Sequence, residues 1–427
     1  MSELRLTDDF PAPSETDWKA LVEKGLRGAE FESLTRQTDD NLVRGPLSTS
    51  NDLPENISPL PRAGAPLLEG RPWHITAPVR DPDIAHANKQ MLENLRGGAS
   101  AVRLQLGPHG YGLNLKTSSD WKKLFDQVHT DLIPISIAPT CNRHLLSILQ
   151  SIPSLKKAHI NLGLGLQQDS ALIKHIAAEV PSTWNLITIG TSKNHNFGNT
   201  EAQELGEMAH EAAMVFRFLG AEIAARHIVV ELSVNQDAHL NIAKIRAARR
   251  IYARIAESFG IKNTKLRLHA VTSERMMQSI DSWTNMLRLM SATFGAIVGG
   301  ADSITTHPFT QPLGLATSFG HRISRNMQLM LMEESQLGQV KDAAYGSYFH
   351  ERMTENLAQK AWKIFQISEG CKTLEESNAA LKHIDPKGFL SQTDNPRKSD
   401  PILGVNLHPL EKDSTAYREP KIRSAST

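Results

Sequence analysis

Polar residues two positions apart interrupt several short apolar runs of this sequence. In a β-strand, residues two apart point to the same side, so each pair predicts a strand with one polar face. Arginine suits a carboxylate or a phosphate, and histidine and glutamate can also exchange protons. The pattern therefore indicates the binding of a polar or anionic ligand. These residues are Arg103 with Gln105, Ser136, His159 with Asn161, Glu231 with Ser233, and Arg267 with His269.

The runs that carry these residues alternate with helical patterns. Eight strands, each followed by a helix, predict a (β/α)8 TIM-type barrel of the α/β class. A doubly wound open sheet is the alternative, but it would usually show a glycine-rich phosphate turn after an early strand, which this sequence lacks. The strands are predicted at 73–78, 101–106, 132–138, 157–163, 185–190, 227–234, 265–270 and 302–307. The helices are predicted at about 82–97, 119–130, 142–151, 168–179, 200–220, 238–259, 274–298 and 317–338.

A polar strand face is unusual in a parallel barrel, because both sides of its strands are normally buried. The outer side must pack on helices, so we expect the polar residues to face the barrel axis. Burying each of them without a partner would cost on the order of 1–3 kcal/mol. Two interpretations stay open: a polar ligand threads the barrel, or the interior residues pair with each other.

The flanking segments divide the chain into three parts. Residues 1–70 are predicted to be an N-terminal arm or linker, because 36–70 are rich in Pro, Asn, Ser and Gly and cannot fold alone. Residues 71–370 form the predicted barrel. Residues 371–427 are predicted to be a C-terminal extension.

The composition argues against several functional classes. The formal net charge is +1, so no overall field attracts nucleic acid or an acidic membrane. Cys141 and Cys371 are far apart and match no metal or redox spacing, which favours the reducing cytoplasm. No apolar stretch approaches the ~20 residues that span a bilayer. The sequence therefore predicts a cytoplasmic protein with no membrane contact and no metal site.

Three segments in the second half of the chain resemble the methylmalonyl-CoA mutase family in order and spacing. The first half resembles the small (β) subunit of that family more loosely, around Trp73 and in the strand near 131–137. The resemblance covers the barrel domain only. The three segments are 267–288, which includes His269, Thr272 and Ser273, then 299–335 and 340–362.

The resemblance implies a subunit of an enzyme that interconverts methylmalonyl-CoA and succinyl-CoA by a radical path. In this family adenosylcobalamin supplies the radical, and the pantetheine arm of the acyl-CoA runs along the barrel axis. The cofactor does the difficult chemistry, while the protein binds the substrate and excludes water. The family's N-terminal arm wraps the partner subunit, which implies a heterodimer with a large catalytic subunit.

Departures from the catalytic members indicate the non-catalytic small-subunit type. Catalytic members have a tyrosine motif after the first strand, where this sequence has residues 77–80, Ala-Pro-Val-Arg. They have a Gly-Tyr-His motif after the fifth strand, where His195 is the nearest histidine, and a fourth-strand arginine with no counterpart in 161–167. The cobalamin loop DxHxxG is also missing. Asp237-Ala-His239 lacks its glycine and is interpreted as a helix start, so adenosylcobalamin is expected on a partner chain.

Seven residues remain as candidate functional residues. His195 and His269 are weak catalytic candidates, because His195 is interpreted as a surface-loop histidine and His269 as a satisfied interior one. The seventh strand is expected to present its residues at the C-terminal face, where barrel enzymes have their sites. A buried structural network is the alternative role for Arg267. The candidate substrate-binding residues are Arg267, Thr272, Ser273, Gln105 and Asn161.

Two other functions stay open at this point. The chain could be an active acyl-CoA mutase barrel whose cobalamin domain is a separate polypeptide. It could also be a non-enzymatic barrel that binds a CoA ester.

Overall fold

Eight parallel strands close into a barrel in the computed structural model, which confirms the predicted (β/α)8 architecture. The structure describes residues 14–63, 70–107, 112–139, 144–165, 170–371, 401–409 and 420–423. Neighbours in the ring follow chain order, and β8 pairs with β1 to close it. The strands are β1 His74–Val79, β2 Ala101–Leu104, β3 Pro134–Ile137, β4 His159–Leu164, β5 Trp184–Gly190, β6 Ile228–Val234, β7 Leu268–Thr272 and β8 Ser303–Thr305.

Helices connect the strands and extend the chain at both ends. They are α1 Glu15–Leu26, α2 Ile84–Arg96, α3 Ser118–Leu124, α4 His144–Gln150, α5 Ser170–Glu179, α6 Ser192–Asn196, α7 Glu201–Leu219, α8 Ala221–His227, α9 Ala238–Ser258, α10 Asn285–Gly299, α11 Ser318–Leu329 and α12 Tyr348–Gly370. No helix among these described residues is both long and apolar enough to span a bilayer.

Three predicted helices differ from the observed ones. The pattern at 119–130 predicts one helix, but α3 ends at Leu124. The pattern at 274–298 predicts one helix, but α10 begins only at Asn285, because Asp281 has a φ of +47° and a 3-10 turn follows it. The pattern at 317–338 predicts one continuous helix, whereas α11 passes into a π-helical turn over Met330–Glu334. Residues 142–143 and 168–169, at the predicted starts of two other helices, lie outside the described residues.

The apolar core lies between the strands and the helices around them. On β1, Ile75, Ala77 and Val79 belong to this core. His74 and Thr76 alternate with them and line a cavity inside the ring. The period of two therefore separates an apolar outer face from a polar inner face, as the sequence predicts.

One side of the barrel is covered by a second helical layer, in which α12 packs on α7 and α9. The approach of α12 is close, since a Cβ at Gly206 would lie 2.5 Å from Ile364 Cγ2. Arg246 on α9 is fully buried and pairs with Asp342 and Glu351, which ties the start of α12 to the barrel wall.

The N-terminal arm lies along this helical layer between residues 40 and 63. Asp52 pairs with Arg352 at 2.8 Å, and the Ala63 amide donates to Asp302 at 2.7 Å. Residues 40–63, which belong to the segment predicted to be unable to fold alone, therefore pack on the chain's own barrel. By contrast, α1 has no buried residue. The division of the chain at residues 70 and 370 stays a prediction, because residues 372–400, 410–419 and 424–427 lie outside the described residues.

Asp40 anchors the arm at the N-terminus of α7. Its carboxylate accepts from the Ala202 amide, with both oxygens at 3.2 Å. The carboxyl is buried, and burial raises its pKa from 3.8 to about 6, although the hydrogen bond from Thr200 acts in the opposite direction. The folded state is therefore stabilised by protonation of Asp40. That contribution is complete below pH 3.8 and is lost as the pH rises through about 6.

We expect Asp40→Asn to change stability in a pH-dependent way. The variant carries no charge to bury, so its free energy of unfolding relative to the wild type should rise by on the order of 1–3 kcal/mol between pH 5 and pH 8. Urea unfolding at both pH values measures this difference. Asp39→Asn, on the neighbouring residue, is the control. A wild-type-to-variant difference that is equal at both pH values would contradict a buried, protonated Asp40.

Candidate functional site

An ion pair lies inside the barrel, between β2 and β6. The Arg103 guanidinium donates to both carboxylate oxygens of Glu231, at 2.8 and 2.9 Å. Gln105 Oε1 accepts from Arg103 at 3.1 Å, and the Ser192 hydroxyl donates to Glu231 at 2.9 Å. Burial alone would raise the pKa of Glu231, but the Arg103 guanidinium outweighs it and lowers that pKa to about 2. Both side chains are therefore charged at neutral pH and satisfy each other.

Several other inward polar residues also have partners within the ring. Asn161 donates to the Ser136 hydroxyl at 3.0 Å and accepts from Asn185 at 2.7 Å. His269 Nε2 lies 2.8 Å from the Thr305 hydroxyl. Of the two interpretations of the polar face, mutual pairing describes these residues, and no threading ligand is required to satisfy them.

The N-terminal end of the ring contains a polar cavity of about 510 Å³. Ala101 and Val229 line it, whereas Arg103 and Glu231, the next inward residues on the same strands, do not. The cavity is therefore bounded towards the C-terminal face by the Arg103–Glu231 pair. Its lining also includes His74, Thr76, Ser136, His159, Asn161, Asn185, Arg267, His269, Asp302 and Ser303.

Two candidate residues occupy this end of the barrel. The expected position of Arg267 at the C-terminal face is wrong: it precedes β7 and donates to the Arg226 carbonyl at 2.7 Å, because β7 begins only at Leu268. His269 is buried, and burial lowers its pKa to about 4. It is a neutral interior histidine with a partner, as the sequence predicts.

Thr272 and Ser273 lie at the opposite, C-terminal end of β7. Thr272 Oγ1 is 3.1 Å from His307 Nδ1, and the Ser273 hydroxyl donates to Asn196 at 3.1 Å. Burial lowers the pKa of His307 to about 4, so this imidazole is neutral at neutral pH. These contacts brace the loops that follow β5, β7 and β8.

The sequence suggested that His195 lies in a surface loop, and this is wrong. His195 is fully buried behind β5 and β6. The loop after β5 turns inward as α6, and His195 Nδ1 then lies 3.1 Å from Glu204 Oε2 and 3.4 Å from Glu201 Oε2. Sequence patterns place both glutamates in the first turn of α7, where solvent exposure would be ordinary. The fold instead covers this turn with the arm and α9.

By residue type, His195, Glu201 and Glu204 could hold a metal ion, since their ligand atoms lie within 4.8 Å of one another. The Lys244 ammonium occupies that place. It is 2.6 Å from Glu201 Oε2, contacts Glu204 and donates to the Ser233 carbonyl at 2.8 Å. Burial opposes its charge, but the two carboxylates outweigh burial and raise the Lys244 pKa. An internal cation thus already neutralises the two carboxylates that a metal would need.

Comparison with known proteins agrees with this architecture. The family model described as methylmalonyl-CoA mutase matches residues 156–425. The methylmalonyl-CoA mutase small subunit of Streptomyces virginiae is 31% identical over 98% of this chain. The chain belongs to the methylmalonyl-CoA mutase family. The family is cobalamin-dependent. The similarity to small subunits of Streptomyces and Propionibacterium supports the interpretation of this chain as a mutase subunit of the small-subunit type.

Further relatives are named either as a small subunit of methylmalonyl-CoA mutase or simply as methylmalonyl-CoA mutase. The small subunit of Propionibacterium freudenreichii subsp. shermanii is 32% identical over 95% of this chain. The methylmalonyl-CoA mutase of Rhizobium meliloti is 27% identical over 93%. The chain spans 74%, 70% and 64% of the lengths of the Streptomyces, Propionibacterium and Rhizobium relatives, respectively.

The residues nearest to the cobalamin motif of the mutase family do not fit a cobalt ligand. Asp237 caps α9 by accepting from the Leu240 amide at 3.0 Å, and it also pairs with Arg44 of the arm. His239 lies on the outer surface, 3.0 Å from His350. The interpretation of this string as a helix start is confirmed.

Sequence reasoning found the inward polar residues but missed how they combine. Arg103 and Glu231 were visible as members of a polar face, but their pairing requires β2 and β6 to face each other across a closed ring. Lys244 gave one usable signal: a lysine seven positions into a helix with apolar neighbours on both sides. A buried lysine requires acidic partners, although their identity is not encoded locally.

We expect Arg103→Met to destabilise the protein by about 3–5 kcal/mol, because it leaves the Glu231 carboxylate buried and unpaired. The double variant Arg103→Met/Glu231→Met should recover most of that loss, since two apolar side chains of similar size need no partner. Urea unfolding of the wild type, both single variants and the double variant measures the coupling. Additive effects would contradict a direct buried ion pair.

We expect Lys244→Met to destabilise the protein strongly, by about 3–5 kcal/mol at pH 8, because two buried carboxylates lose their cation. Without Lys244, burial should raise the pKa values of Glu201 and Glu204, so part of the stability should return as the pH falls towards 5. Thermal unfolding across this range measures the effect. Lys262→Met, at an exposed lysine, is the control, and an equal response in both variants would contradict the assignment.

Proposed function

We propose that this chain is the non-catalytic small subunit of an adenosylcobalamin-dependent methylmalonyl-CoA mutase and that it supports a large catalytic subunit. The observation that carries the proposal is the buried Arg103–Glu231 pair inside the barrel. A mutase of this family needs the axis open, since the pantetheine arm passes along it. The pair occupies that path.

The positions of the missing catalytic motifs support the same conclusion. The nearest histidine to the Gly-Tyr-His motif is His195, which has 0% exposure and lies beside Glu201 and Glu204. It is therefore not available to polarise a thioester carbonyl. The end of β1 has Pro78, Val79 and Arg80 where catalytic members have their tyrosine motif.

The exposed part of the arm is the surface best suited to a large subunit. Trp18 of α1 contacts Phe31 edge to face, at 5.7 Å between ring centroids. Leu21 on the same helix is 68% exposed, and no residue of α1 is buried against the rest of the chain. The arm beyond residue 40 is tied to the chain's own barrel, which leaves α1 as the part of the arm that can contact a large subunit.

The cofactor belongs to the partner chain in this proposal. Adenosylcobalamin supplies the radical chemistry when bound, and the described residues of this chain offer it no ligand. The cavity at the N-terminal end of the ring favours a second candidate function, namely binding of a CoA ester without catalysis. In that case the polar end of the acyl-CoA enters the cavity, and its acyl group does not reach the C-terminal face.

Co-purification with a large mutase subunit tests the proposal. We expect Leu21→Asp to weaken the complex by at least about tenfold, because it places a charge at an apolar contact. Leu287→Asp, at a leucine of similar exposure (65%) on α10, is the matched control. Surface plasmon resonance of each variant against the large subunit gives the dissociation constants.

Two outcomes would contradict the proposal. A chain that stays monomeric beside its large partner has no supporting role. Turnover of methylmalonyl-CoA by this chain with adenosylcobalamin alone would show an active site of its own. Calorimetry with CoA esters separates the second candidate, since heat without turnover would indicate binding only.

A further inference from the structure

A second cavity of about 500 Å³ lies outside the ring, beside the N-terminal end of β7. The arm forms one wall through residues 59–62, α9 forms another, and the segment before β7 and the turn near residue 338 complete it. This volume is within the range of sites that hold a small molecule. The pocket is separate from the axial cavity, although Leu266 and Arg267 are adjacent along the chain.

Four cationic side chains line this pocket, namely Arg62, Arg249, Lys265 and Lys341, and no acidic side chain does. Arg249 pairs with Asp302 at 3.0 Å. Lys265 and Lys341 are exposed and make no ion pair with any described residue. Positive charge is therefore in excess, and a concave surface with excess positive charge favours an anion.

The two arginines are fixed in place by backbone contacts. Arg249 donates to the Leu266 carbonyl at 2.8 Å and to the Gly300 carbonyl at 2.5 Å, and Arg62 Nε donates to the Ala301 carbonyl at 3.0 Å. Burial lowers the pKa of Arg62 to about 10, which leaves it charged at neutral pH. The walls of the pocket are thus rigid and cationic.

One buried arginine donor of this cluster has no partner among the described residues. Arg249 is 6% exposed, and its Nε is buried without a hydrogen bond to any described residue. A buried guanidinium N–H normally has an acceptor, because a buried donor without a hydrogen bond costs about 1–3 kcal/mol. A bound oxyanion or an ordered water would supply it. The remaining wall, Pro59, Leu60, Pro61, Pro72 and Ala253, is apolar.

We propose that this pocket binds the phosphate group of a phosphorylated small molecule, with Lys265 and Lys341 as its exposed contacts and Arg249 Nε as a buried donor reached directly or through a water. Lysine binds phosphate as a mobile point charge, and the fixed arginines add to the local potential. The proline-rich wall provides a surface for an apolar or planar part of the same molecule. This site goes beyond the supporting role proposed above and does not depend on the large subunit.

Calorimetric titration of the full chain with pyrophosphate, ADP and adenosine tests the proposal. We expect pyrophosphate and ADP to bind and adenosine not to bind, with affinity that falls as salt is added. Lys265→Glu/Lys341→Glu should weaken binding by about tenfold or more, because both contacts become repulsive. Lys262→Glu, on the same connection but outside the pocket, should bind like the wild type.

Each outcome decides the question. Tighter binding of ADP than of pyrophosphate supports a nucleotide-type ligand packed on the prolines, and equal binding supports recognition of the phosphate alone. Binding of adenosine as tight as that of ADP would overturn the proposal, as would no heat for either phosphate at about 5 mM. An unchanged affinity in the double variant, with its melting temperature preserved, would also overturn it. None of these results depends on whether the chain associates with a large subunit.

Discussion

The Arg103–Glu231 ion pair constrains how the whole barrel is built. A closed ring of eight short strands has little room at its centre, and here two fully charged side chains fill it. They remain there because each satisfies the other, with Gln105 and Ser192 taking up remaining hydrogen-bonding capacity. The pair separates the ring into an open N-terminal cavity and a C-terminal face. The proposed function follows from that separation, since a substrate chain cannot pass.

The buried charges continue outward from the axis. Ser192 links Glu231 to the loop after β5, and Glu204 accepts from the Ser233 amide at 2.8 Å while it also contacts Lys244. Asp40 of the arm accepts from the Ala202 amide close to Glu201. The arm, the second helical layer and the inside of the ring are thus parts of one polar network. The buried ion pairs and hydrogen bonds of this network couple the elements that carry them, which favours a single arrangement of these elements.

A barrel closed in this way keeps the architecture of a mutase while the path for its substrate is filled. The fold itself does not specify an activity, because activity resides in the residues grafted onto it. In this chain the Arg103–Glu231 pair and the contacts of Asn161 satisfy much of the inner face without a ligand. The two surface features proposed to meet other molecules, the exposed Leu21 of α1 and the cationic pocket beside β7, lie outside this inner face.

The sequence by itself determined the eight-strand barrel, the polar inner face and the family, because period-two patterning and motif spacing are local properties of the chain. It also indicated His269 as an interior histidine and Asp237 as a helix start. Only the tertiary structure decided that Arg103 meets Glu231, that His195 is buried beside Lys244, and that Arg267 lies at the N-terminal end. Those facts depend on residues about 40 to 130 positions apart becoming neighbours, and on where each strand begins, which ring closure sets and local pattern does not.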